Sequence, residues 1–222
     1  MHIAFLVPNE LPTAQDFVGP WEVLARWPAR SSLQLVTSRP GTLLCDTGIE
    51  VHVPAGFGDV PDPDVVVVPG GSNPYAAMDD ADAIAWLREV APGVKWFGTV
   101  CTGSAVLARA GLLDGRPAAT HWAFRDELRD MGVQVTDERV VVSGNVITSA
   151  GITAGIDMAL TMTLLEHGQE YAEKVQLGLE YDPAPPTDSG TPEKATPEVL
   201  AFMRKVLTDS VLARNPARKA GC

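Results

Sequence analysis

The stretch Val65-Val66-Val67-Val68-Pro69-Gly70-Gly71 decides how this chain is read. A run of β-branched apolar residues without polar alternation makes a strand covered on both faces, as in a parallel sheet. Pro69-Gly70-Gly71 ends it in a turn. Working outward, apolar runs at 3–7, 33–37, 94–100, 133–135, 140–142 and 146–148 read as further strands, with a small one at 51–53. Helical spacing marks 16–27, 81–90, 102–110 and 153–166, with two more helices at 171–179 and 197–214. Pro20 sits near the start of its helix, where a missing N–H is tolerated. Strands alternate with helices through most of the chain. The fold class is therefore α/β, a mostly parallel central sheet with helices on both faces. Residues 181–197, rich in Pro, Asp, Ser and Gly, read as an ordered arm without regular structure, and the basic tail to Cys222 as frayed. No repeat occurs, and too little chain follows the arm for a second domain, so one domain over 1–222 is expected.

Composition agrees with an ordinary soluble protein: 222 residues, 45% hydrophobic and 20% charged. With 17 Lys and Arg against 28 Asp and Glu, the net charge of -11 would repel nucleic acid and anionic membranes, so neither is expected as a partner. The apolar run at 3–7 stops at Pro8, too short for a signal peptide or a membrane span. Three widely separated cysteines, Cys45, Cys101 and Cys222, form no disulfide framework and no CxxC pair, which points to a reducing cytoplasm. His2, His52 and His167 show no ligand spacing with one another or with Cys101, and phosphate-binding glycine motifs are absent. No metal and no cofactor are expected.

Ligands of open α/β sheets bind beyond the carboxyl ends of the strands. Two loops lie there: Pro69-Gly70-Gly71-Ser72-Asn73 and Gly98-Thr99-Val100-Cys101-Thr102-Gly103-Ser104. In the second, a strand runs directly into a helix. A residue at that junction sits on a sharp, strained elbow with its side chain above the sheet. The helix N-terminus favours thiolate there. Free cysteines are commonly small buried hydrophobes, and Cys45 and Cys222 are read that way. Cys101 is read as the nucleophile.

Together, the 65–71 stretch and Thr99-Val100-Cys101-Thr102-Gly103 resemble the ThiJ/PfpI, or class I glutamine-amidotransferase-like, superfamily. Asp16-Phe17-Val18-Gly19-Pro20-Trp21-Glu22-Val23-Leu24 resembles the opening of one branch. Ala119-Thr120-His121-Trp122, the segment 148–157 and the segment 176–186 fit it too. That branch contains isonitrile hydratases. The resemblance implies a flavodoxin-like sandwich, a homodimer and a small-molecule substrate. Many members place His directly after the nucleophile, where this chain has Thr102. An acid–base partner must then come from elsewhere. The resemblance offers Asp16, whose plainer role is a helix N-cap.

Gly71 and Thr102 offer backbone N–H groups as an anion-stabilising pair, although Gly70-Gly71 also serves simply as a turn. Gly71, Ser72, His121, Trp122 and Ile152 are candidate substrate contacts; an isolated histidine such as His121 is more often structural, and Trp122 and Ile152 are equally core residues. The function implied by the resemblance is isonitrile hydratase, a cofactor-independent hydro-lyase. Cys101 attacks the terminal carbon, Asp16 supplies its proton, and water, oriented by Thr102 or Asp16, hydrolyses the thioimidate. Glyoxalase- or deglycase-like chemistry on 2-oxoaldehydes and a ligand or redox sensor using Cys101 are the alternatives. The chain ends too soon after the arm to carry a helix-turn-helix domain.

Overall fold

The computed structural model describes residues 1–28 and 32–214. At its centre is β5 (Val65–Val68), whose valines are all fully buried. Val66 and Val68 enter one core with Ala4 and Leu6; Val65 and Val67 enter the other with Ile3 and Phe5. Successive strand residues face opposite ways, so a strand between two helical layers must be apolar at every position.

In chain order the elements are β1 (His2–Leu6), α1 (Ala14–Leu24), β2 (Ser32–Val36), β3 (Gly41–Leu44), β4 (Glu50–Val53), β5, α2 (Pro74–Met78), α3 (Ala81–Val90), β6 (Trp96–Thr99), α4 (Gly103–Arg109), β7 (Pro117–Ala118), α5 (Arg125–Asp130), β8 (Gln134–Val135), β9 (Val140–Ser143), β10 (Val146–Ser149), α6 (Ala154–His167), α7 (Gln169–Gly178) and α8 (Pro197–Arg214). The main sheet has the order β2-β1-β5-β6-β10-β9, parallel except for the antiparallel β10–β9 edge. Residues of α1, α6 and α7 fill one core, and residues of α2, α3, α4 and α5 the other. Close helix–sheet packing needs Gly98 in β6, where a Cβ would stand 2.8 Å from Met158 Sδ.

The chain leaves β1 for β2 on one side and returns to β5 on the other. The carboxyl ends of β1 and β5 therefore flank the topological switch point, where open α/β sheets hold their ligands.

The expected α/β architecture is the observed one. The differences are local. Strand β3, paired with β4 in a separate hairpin, and the short β7 carry little apolar signal. Helix α2 starts at Pro74 under an Asn73 cap and was hidden by its brevity. Asp16 is not an N-cap; Thr13 holds that position and Asp16 lies in the first turn of α1. Residues 181–196 have no regular structure, and Tyr181 Oη anchors the start of this arm by donating to Asp157 at 3.2 Å. The basic tail beyond Arg214, with Cys222, lies outside the described residues. Among those described, no helix is long and apolar enough to cross a membrane.

Candidate active site

Cys101 lies between β6 and α4 with φ at +58°, left-handed for a residue that has a Cβ. That strain is over-determined by hydrogen bonds. Its N–H donates to Ala150 O at 3.0 Å, and its carbonyl accepts from Ser104 Oγ at 3.2 Å and Thr120 Oγ1 at 3.0 Å. Gly103 completes the elbow: a Cβ there would fall 2.0 Å from Val68 O. Leu11 and Ile152, both lining or bordering the same region, also have positive φ, at 48° and 42°. Backbone strain gathered at one place is characteristic of a functional site.

A cavity of about 600 Å³ opens here, lined by Cys101, Thr102, Gly71, Ser72, His121 and Ile152. Those candidate residues are brought together by four different segments. Trp122 is not among the lining residues; Arg204 stacks over its ring at 5.8 Å. Asp16 is fully buried beneath the lining, with Oδ2 accepting from Gly70 N at 3.0 Å and Oδ1 buried without a standing hydrogen bond.

Protonation here differs from the expected thiolate. Burial holds the Cys101 thiol well above its ordinary range. The Asp16 charge pushes the same way, as does Asp46, while the Thr102 and Ile152 amides pull down without prevailing. The helix N-terminus is thus outweighed by desolvation and neighbouring carboxylates. Asp16 is raised to about 7, chiefly by burial, against the stabilising Gly70 amide; Asp46 raises it further, and contact with the Cys101 thiol lowers it. Thiol and carboxyl form one coupled pair.

Of the expected anion-stabilising pair, the Gly71 N–H is engaged elsewhere. Gly71 N–H donates to Thr102 Oγ1 at 3.1 Å, and that hydroxyl lies 3.2 Å from Gly71 O as its donor. The Gly71 N–H and the Thr102 hydroxyl are spent on this contact, locking the 69–72 turn to the nucleophile loop. Gly70 is required at this contact, since a Cβ would lie 2.5 Å from Thr102 Oγ1. The amides that reach the sulfur are those of Thr102 and Ile152. Ser72 Oγ is buried without a partner.

His121 caps a short 3₁₀ turn, its Nδ1 accepting from Ala123 N at 3.2 Å. Burial, reinforced by the Arg125 charge, lowers it to about 4. Sequence reasoning missed the rest of the wall: Tyr75, Phe124 and Glu127, together with Leu207 and Val211 from α8. The Asn73-Pro74 start of α2 was the available signal for Tyr75; nothing local marked α8 as a cavity wall. Among the described residues no group of three or more His, Cys, Asp or Glu is placed to hold a metal ion.

The family model of the DJ-1/PfpI family matches residues 1–165. This chain belongs to that family. It is 40% identical over 216 residues to an isonitrile hydratase of Pseudomonas putida, covering 96% of this chain and 93% of that one. It is 34% identical over 154 residues to the HTH-type transcriptional regulator CdhR of Pseudomonas aeruginosa, covering 68% of this chain and 44% of the regulator. Among solved structures, a ThiJ/PfpI family protein from Pseudomonas syringae superposes with a TM-score of 0.89 at 35% identity, over 95% of this chain and 87% of that one.

Proposed function

We propose that this protein is an isonitrile hydratase, converting R–N≡C and water to the N-substituted formamide without a cofactor. The observation that carries the reading is the near full-length similarity to a hydratase of that kind; a cavity lined by Cys101, whose thiol contacts the buried Asp16, supports it. Cys101 Sγ bonds to the terminal isonitrile carbon. Its proton passes to the Asp16 carboxylate and from there to the same carbon, giving the thioimidate Cys–S–CH=N–R. Water then bonds to that carbon. The proton it gives up passes through Asp16 to the nitrogen. Finally the C–S bond breaks toward sulfur, and the hydroxyl proton returns to the thiolate as the formamide carbonyl forms. The thiol's high pKa suits this route, because the base that ionises it is adjacent and the charge never has to persist. Thr102 acts by holding the loop through Gly71. The enzyme works as a single-domain homodimer in a reducing cytoplasm.

The test is loss of the N≡C infrared band of cyclohexyl isocyanide with formation of N-cyclohexylformamide. Wild-type protein is expected to turn it over. Cys101→Ala is expected to be inactive, whereas Cys45→Ser should remain active. Comparable activity in Cys101→Ala would overturn the reading.

A further inference from the structure

The second half-reaction leaves a requirement that neither Cys101 nor Asp16 meets. When water attacks the thioimidate, an electron pair moves onto the nitrogen, and a donor aimed at that atom lowers the barrier. The Thr102 hydroxyl is committed to Gly71. His121 is available. An amide N–H can only donate, so the Ala123 contact forces Nδ1 to be the acceptor and leaves the ring proton on Nε2. His121 lines the cavity, and Nδ1 is the ring nitrogen held by the backbone N–H. Its position in the same cavity wall as Cys101 is built in from both directions. Thr120, the preceding residue, bonds Cys101 O. The ring edge packs on Gly151, where a Cβ would fall 2.4 Å from His121 Cδ2. Gly151 in turn lies between Ala150, which accepts from Cys101 N, and Ile152, whose amide reaches the thiol.

We propose that His121 is a catalytic hydrogen-bond donor of the second half-reaction, its Nε2–H holding the nitrogen of the Cys101 thioimidate while water attacks. The inference rests on the hydratase reading. His121 keeps its proton throughout: the C–O bond forms, the C=N pair moves to nitrogen, and the proton that nitrogen gains comes from water by way of Asp16. Burial lowers the ring to about 4, so it stays a neutral donor at physiological pH.

Asn and Gln substitutions separate this role from capping. His121→Asn keeps an acceptor for Ala123 N but lacks a donor at the Nε2 position; His121→Gln restores an amide N–H near it. In rapid-quench intact-mass experiments with cyclohexyl isocyanide, His121→Asn is expected to form the Cys101 adduct at the wild-type rate. Its breakdown should slow on the order of 10²-fold, so that adduct accumulates. His121→Gln should recover at least about a tenth of wild-type breakdown. Breakdown at the wild-type rate in a folded His121→Asn overturns the inference while leaving the hydratase reading intact. Failure of wild-type protein to form adduct or formamide overturns both. Imidazole NMR of wild-type protein is independent of variant folding. It should show an Nε2–H tautomer whose resonance moves when N-cyclohexylformamide binds, and an Nδ1–H tautomer overturns the inference.

Discussion

Asp16 is a carboxyl with no surface open to bulk solvent, and two consequences follow. Its value of about 7 means that the folded chain holds a proton that the unfolded chain has released. Stability from that neutral form is fully present below about pH 4 and is lost as pH rises through about 7, a change on the order of 4 kcal/mol. Asp16→Asn keeps the shape and an acceptor for Gly70 N–H but carries no charge to bury. It is expected to raise the melting temperature over wild type at about pH 8 and far less at about pH 5, while turnover is lost. Calorimetric scans at both pH values check this, and an equal difference at the two would refute the buried-proton account. The second consequence is kinetic. The active pair carries one proton, so kcat/KM should rise with pH through an apparent pKa near 7 and fall only well above 9. Initial rates on cyclohexyl isocyanide from about pH 5 to about pH 9 measure the profile. A flat profile would count against the pair as the reacting unit.

At the scale of elements, α8 stands out. It follows an arm without regular structure, yet returns Leu207 and Val211 to the wall above Cys101. Arg204 over Trp122 ties the helix to the segment that carries His121. Trp122, expected as a wall, holds the element that supplies one. Truncating an apolar wall weakens substrate binding without touching the reacting atoms. Leu207→Ala is expected to raise KM about fivefold to tenfold for cyclohexyl isocyanide, with kcat little changed. Steady-state kinetics provide the check; a lower kcat at unchanged KM would mean that α8 acts on the chemistry instead.

For the whole molecule the expectation is a homodimer. Large apolar side chains stand in solvent, among them Leu177 at 81% and Phe202 at 65% exposure, and burying such surface drives association. The net charge of -11 opposes it, so added salt should strengthen the dimer. Light scattering at micromolar concentration is expected to give twice the chain mass, and a monomer mass would refute the assembly. Charge also bears on substrates. Asp46 and Glu127 line the cavity, and Arg125, close by, is paired with Asp137 at 2.9 Å and Glu193 at 3.6 Å.

What the sequence alone determined was whatever depends on neighbours along the chain. An all-valine run needs two covering layers, an alternation of strands and helices builds a parallel sheet, and Cys101 between a strand and Gly103 must sit on an elbow. Motifs carried the family and pointed to Asp16. Only the tertiary structure decided what depends on distance through space. The low dielectric around Cys101, with Asp16 and Asp46 nearby, reversed the thiolate that a helix N-terminus alone would favour. Thr102 and Gly71, 31 residues apart, consumed each other's hydrogen bonds. His121 came to line the same cavity as Cys101 through Thr120 and Gly151, and α8 closed the wall from the far end of the chain. Periodicity reports which face of an element is buried; desolvation, hydrogen-bond partners and cavity walls are settled only when distant elements pack together.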